Sequence, residues 1–367
     1  MTPTQDFTSD NLNEQAWMAA KLSGYTAMKA DASKCTPLDA SKAFEMYLGW
    51  TDFYRDDSYI PVEAEAERSF PIPNSDYSAY GKLDTLVHES RGDGKEPHLI
   101  QLEHKTGSRD ANSDEVFPFR TANVNEQITT YAMLQSANGQ PIHSTVIDYV
   151  KVPGIRPKVI PTGKTADSVG TLREIRGMGT YFGNELSSPT KQEYSEGSKI
   201  KENYECYRYR VRNDIKENPD RYFARRGPIF RNNVEMLEQL AALEQVTRDI
   251  DRAGEEKHLG SFYKNTSQCL AYNSTCEYMP LCDGTSTEDS DDWVSRSGGS
   301  KTGSKSLSFS KATCFKSCRR KFYHRYVQGI VKRQHEAKSL RIGSLFHVGV
   351  EHYYNGLISH QLGDNDE

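Results

Sequence analysis

The sequence predicts an α/β fold in which helices flank a mixed β-sheet. Three features carry that reading. Apolar residues recur at helical spacing near both ends, the period changes to two around residues 59 to 90 in a meander that runs to 105, and a helix-then-strand pattern follows directly.

The elements follow in order. "NLNEQAWMAAKLSGYTAMKA" and "TPLDASKAFEMYLGWTDFY" carry Ala, Leu and Met at helical spacing, and Thr36 or Asp39 suits the N-cap of the second. "YIPVEAEAERSFPI" alternates apolar and acidic residues, as a half-exposed strand does. "YGKLDTLVHES" is a second strand, "RGDGKEP" a turn, and "HLIQLEHKTG" a third strand, which together make a meander. "NVNEQITTYAMLQS" reads as a helix that buries Ile128, Tyr131, Ala132 and Leu134, and "STVIDYVKVPG" as another strand. Residues 160 to 200 give no clear pattern. "VEMLEQLAALEQVTRDIDRA" is an amphipathic helix. Residues 283 to 305 are acidic and then Gly/Ser-rich, which predicts a flexible linker. Beyond it come a basic, aromatic segment and an amphipathic helix, "SLRIGSLFHVGVEHYYNGLIS".

Composition narrows the function. The 367 residues suffice for a sizeable core. A net charge of −5 argues against a globally basic nucleic-acid binder, so any such surface is local. No apolar run is long enough to span a bilayer, and the polar start lacks a signal peptide's apolar core, so the expected location is cytoplasmic, with no membrane partner. Seven scattered cysteines do not form a disulfide framework. The absence of a G-x-x-x-x-G-K-[ST] loop argues against an ATPase in this chain.

The third strand raises the chemical question. Glu103 and Lys105 stand two residues apart, so they project from one face. As a surface ion pair they would contribute only about 0–1 kcal/mol. Asp84, on the preceding strand, changes the weighting. Two carboxylates brought together repel unless a cation separates them, and Mg²⁺ or Mn²⁺ prefers such oxygen ligands. Lys105 beside them is suited to stabilise charge on a phosphorane or to orient an attacking water. D…E-x-K on neighbouring strands therefore suits phosphodiester hydrolysis.

"GKLD" followed by "LEHKTG" resembles the PD-(D/E)XK nuclease superfamily. Gln127 and Tyr131, spaced Q-x-x-x-Y on the next helix, resemble its RecB-like branch, which includes Cas4-like and phage nucleases. "GSLFH", ending at His347, resembles the branch's G-x-x-x-H helix, and "SLSFSKATCFKSCRRKFYHRYVQG" its S-x-S…C-x-x-x-[FY] opening. The resemblance implies a restriction-endonuclease-like core and a metal-dependent deoxyribonuclease, with an exonuclease at DNA ends or on single strands as the leading expectation. Asp84, Glu103, Lys105, Gln127 and Tyr131 would be catalytic. His347, Asp84, Glu103 and the backbone carbonyl of His104 would hold Mg²⁺ or Mn²⁺. A structure-specific or end-processing endonuclease and a catalytically silent DNA-binding module stay open as alternatives, as does a recombination or helicase partner.

The order departs from that family, where the S-x-S and G-x-x-x-H segments come first. A circular permutation accounts for this. On that view residues 1–55 are a helical segment, 56–282 the nuclease core with a cysteine-containing cap, 283–305 a tether joining old termini, and 306–367 the displaced opening part of the same domain. In the cap, Cys269, Cys276 and Cys282, with Cys318, resemble the iron–sulfur set of some relatives. The first gap is wrong, however, and position 273 is Asn. A [4Fe–4S] cluster, zinc and plain buried thiols all stay open. Thr106, Ser108, Arg221, Arg225, Arg226, Arg319, Arg320, Lys321, Arg325 and Tyr326 are candidate DNA contacts, because basic side chains track phosphates and aromatics stack on bases. The competing reading is aromatics packed inward beneath a solvated basic face.

Overall fold

The structure is a computed structural model. It describes residues 9–89, 95–161, 180–181, 184–185, 199–201, 204–256, 260–271, 275–295, 305–333 and 338–363. The tip of the "RGDGKEP" turn and most of the unassigned stretch from 160 to 200 lie outside the described residues.

Two helices open the described chain, α1 (Ser9–Asp31) and α2 (Pro37–Phe53). Thr36 caps α2, its hydroxyl accepting from the Asp39 amide at 3.2 Å. α2 is buried on nearly all sides, so its acids need partners inside: Glu45 meets Arg208 at 2.7 Å and Asp39 meets Arg341 at 3.3 Å. The meander is β1 (Tyr59–Pro71), β2 (Tyr77–Glu89) and β3 (His98–Gly107). Then come α3 (Glu126–Ala137), the fully buried β4 (Ser144–Lys151), α4 (Tyr204–Glu217), β5 (Phe223–Ile229) and α5 (Asn233–Glu255). The last elements are β6 (Lys305–Ser308), α6 (Phe309–Ser317) and α7 (Lys338–Gly363).

One six-stranded sheet organises the molecule, in the order β1-β2-β3-β4-β5 with β6 alongside β2. β1, β2 and β3 pair antiparallel, β3 and β4 parallel, β4 and β5 antiparallel. The chain-terminal segment joins this sheet, since β6 runs parallel to β2 with Leu307 opposite Ala79. Two hydrophobic clusters cover the faces. One joins α1, α2, α4 and α7 to β2, β3 and β4; the other joins α3, α5 and α6 to β1 and β2. The result is a mixed α/β fold consistent with a restriction-endonuclease-like core. No helix among the described residues is long and apolar enough to cross a membrane.

The first part of the expected linker, residues 283–295, is structured. Trp293–Ser295 pairs with Ile330–Lys332, and Trp293 is buried against Tyr278 at a ring distance of 5.4 Å. One large aromatic ring in an otherwise acidic stretch has enough apolar surface to order it. Only the Gly/Ser-rich part, 296–304, lies outside the described residues.

Candidate active site

The site forms where three strands carry carboxylates side by side. The β1–β2 ladder pairs Ala64 with Thr85 and Ala66 with Leu83, which sets Glu65 opposite Asp84. The β2–β3 ladder pairs Thr85 with Leu102, so continuing the register brings Glu103 toward Asp84. There the Asp84 side chain takes over from the backbone, its Oδ2 accepting from the His104 amide at 2.8 Å.

Glu103 is buried, and both its oxygens have partners. Oε1 accepts from Lys105 Nζ at 2.5 Å and from Gln127 Nε2 at 2.9 Å; Oε2 accepts from Gln101 Nε2 at 3.0 Å. Gln127 also accepts from Lys105 Nζ at 3.3 Å and donates to the Tyr131 hydroxyl at 3.0 Å. The helix start explains this placement. Asn125 caps α3 by accepting from the Gln127 amide at 2.9 Å, and Tyr131, four residues on, shares the helix face. Gly81 of "GKLD" lets α3 approach, because a Cβ there would lie 2.6 Å from Leu134 and 2.8 Å from Tyr131.

His347 arrives from the far end of the sequence. Gly343, one turn before it, lets α7 lie against β3: a Cβ at that position would meet Thr106 Oγ1 at 2.7 Å. Glu65, Asp84 and His347 each offer one ligand atom, and these atoms lie within 4.8 Å of one another. They line an open cleft of about 620 Å³ that also contains Lys82, Glu103, Lys105, Gln127 and Glu351.

The electrostatics favour a cation. Burial raises the Asp84 carboxyl above its ordinary range. Burial, then repulsion from Asp84, raises Glu103. Burial would lower the Lys105 ammonium, but Glu103 and Asp84 outweigh it and hold Lys105 above its usual range. Burial, with His104 and Lys105 adding to it, pulls His347 down to about 4, so its imidazole is neutral with a lone pair to give at neutral pH. Clustered carboxylates with a neutral imidazole are a donor set that fits Mg²⁺ or Mn²⁺.

His104 points its ring to the opposite side. There Nδ1 lies 3.3 Å from Asp148 Oδ2, and the ring stands edge-on to Trp50 at 5.8 Å. Arg225, expected as a phosphate contact, lies in this buried layer. Its guanidinium pairs with Asp57, lies 3.4 Å from Asp148 and covers the Tyr54 ring at 3.8 Å. The buried Asp148 carboxylate draws it inward.

The remaining candidates divide. Thr106 lines the cleft, and Ser108 is exposed but not among the lining residues. Arg221 and Arg226 are about half exposed, paired with Asp110 and Asp114 at 3.1 Å each. Arg319 pairs with Asp249 at 3.0 Å and Arg320 Nε donates to the Phe262 carbonyl at 2.8 Å. Lys321 and Arg325 flank Glu277 at 3.6 and 3.5 Å, and Tyr326 packs on Phe322 at 5.3 Å. These contacts tie the segment to its own domain. Cys269, Cys276, Cys282 and Cys318 are half-buried free thiols. Among the described residues no three of them lie within 4.8 Å, whereas a zinc–thiolate bond of about 2.3 Å needs sulfurs about 3.8 Å apart.

Sequence reasoning missed Glu65 and Gln101. The signal for Glu65 was the alternation in "VEAEAE", which read as an exposed acidic face until β1 was paired with β2.

A family model described as PD-(D/E)XK nuclease superfamily matches residues 306–367. No curated protein and no solved structure matches the chain. The matched span supplies β6 and His347. The match covers less than half of the chain; it supports that superfamily and points to a metal-dependent nuclease.

Proposed function

We infer that the chain is a Mg²⁺- or Mn²⁺-dependent deoxyribonuclease of the RecB-like branch, acting as an exonuclease at DNA ends or on single strands. The observation that carries the reading is the cleft itself: Asp84, the Glu103–Lys105–Gln127 network and His347 meet there from elements far apart in sequence. Asp84, Glu103 and His347 would hold the cation, with the His104 carbonyl as a further oxygen. The chemistry that a bound cation supplies is polarisation of the phosphodiester and acidification of water. Lys105, held charged by Glu103 and Asp84, offsets negative charge developing on the phosphate. Gln127 fixes Lys105 and Glu103 relative to each other, and Tyr131 fixes Gln127.

We also read the order of elements as a circular permutation. α7 lies antiparallel to α1, with Gly349 against Met28 and Gly356 against Ala20, so the end of α7 adjoins the start of α1 as in a helical hairpin. The cap supports a second proposal. Burial raises the Cys276 and Cys282 thiols and Cys318 raises both further, so the three share one neighbourhood. With Cys269 they would hold a [4Fe–4S] cluster, tested by iron content and visible absorbance after anaerobic purification.

The nuclease reading is tested with end-labelled linear and closed circular DNA in Mg²⁺, Mn²⁺ or chelator. Loss of linear DNA only, and only with metal, is expected. Cutting of circles selects the endonuclease alternative, and DNA binding in chelator without cleavage in metal selects the silent binding module.

A further inference from the structure

Glu65 is one of two non-glycine residues among the described residues with a left-handed backbone, at φ 54°, and it follows a register shift between Pro61 and Glu63. That conformation is strained for an L-residue with a Cβ. Bulges of this kind re-aim side chains beside active sites. Here the irregular backbone lies opposite Asp84, in the cleft, and its carboxylate is one of the three ligand groups that converge. Glu103, by contrast, commits both oxygens to Lys105, Gln127 and Gln101. The Glu65 carboxylate pairs at 2.5 Å with Lys82, which is itself 42% exposed at the side chain. An ammonium at that position neutralises a carboxylate that otherwise faces Asp84.

We propose that Glu65 is a further ligand of the divalent cation, and that Lys82 is the counter-ion that holds its carboxylate until the cation binds. The inference rests on the reading of the cleft as a divalent-cation site. The Lys82 ammonium and the divalent cation are both positive and compete for one carboxylate, so Glu65 and Lys82 have opposite effects on cation affinity. Removing Glu65 removes an oxygen donor, and removing Lys82 removes a competitor. Glu65 as a purely structural partner of Lys82 gives the same sign for both.

The test is Mn²⁺ titration by calorimetry on the full chain without DNA, with thermal unfolding as the check on folding. Glu65→Gln is expected to weaken Mn²⁺ binding by about 10- to 100-fold, the range that losing even an outer-shell partner produces. Lys82→Met is expected to tighten it. If Asp84→Asn loses binding while Glu65→Gln binds as the parent does, this proposal fails and the active-site reading stands. Weakening by Lys82→Met to the same degree as by Glu65→Gln also overturns it. If the parent itself binds no Mn²⁺, the reading of the cleft fails, and this inference with it. Should Glu65→Gln not fold, Glu65→Asp keeps the charge and shortens the arm; weaker binding supports the proposal and parent-like binding overturns it.

Discussion

Glu103 shows how burial changes the setting of a common residue pair. On an open surface, Glu and Lys two apart on a strand would be nearly neutral to stability. Here the carboxylate is buried among three side-chain donors, and the ammonium beside it stays charged. Lys105→Ala should therefore lower cleavage by about 10²- to 10⁴-fold, as loss of a positioned catalytic group does. Arg225 behaves differently because its partner is structural. Burial alone would raise the Asp148 carboxyl, but Arg225, His104 and Trp50 outweigh it and hold Asp148 below its ordinary range. Its folded pKa therefore lies below the unfolded value of about 3.9. The stabilisation is complete above that value and is lost as pH falls through the folded pKa. Arg225→Ala removes the buried guanidinium beside Asp148 and leaves it only Trp50 and His104, so denaturant unfolding at pH 7 should show a loss of about 3–5 kcal/mol, and acid unfolding should begin at higher pH. Asp84, Glu103 and Lys105 were legible because the spacing D…E-x-K is local to one hairpin. The inward turn of Arg225 was not, because it depends on Asp148 and Asp57, 77 and 168 positions away.

At the scale of elements, glycines set how closely helices approach the strands that carry the site. Gly343 faces Thr106 with no room for a Cβ. Gly343→Ala should displace α7 and lower metal-dependent cleavage, and Thr106→Ala in the same chain should restore much of that loss. Thr106→Ala alone is the control. A Gly343→Ala variant as active as the parent would mean that α7 need not lie so close. Strands β1 to β3 and helix α3 were legible from their periodicity and caps. β6 was not, since four residues that add to one end of β2 carry no pattern of their own. The ordered start of the expected linker was hidden for a similar reason: its order depends on Trp293 meeting Tyr278.

At the scale of the molecule, the candidate site draws residues from both ends of the sequence. β6 completes the sheet and α7 delivers His347, while Asp84 and Glu103 come from the meander. If the order is a permutation, a rearranged chain running from residue 301 to 367 and then from 2 to 296 should fold with a melting temperature close to the parent's and cut the same DNA. Failure of that chain to fold would count against the permutation and leave the chemistry untouched. The central claim is that the Asp84, Glu103 and Lys105 cleft hydrolyses DNA with a divalent cation. The most direct measurement is cleavage of end-labelled linear DNA in Mn²⁺ by the parent and by Lys105→Ala, with both shown to be folded by thermal unfolding. The account predicts degradation by the parent, arrest by chelator and an inert, folded variant. Equal cleavage by the two proteins, or none by a folded parent, would contradict it.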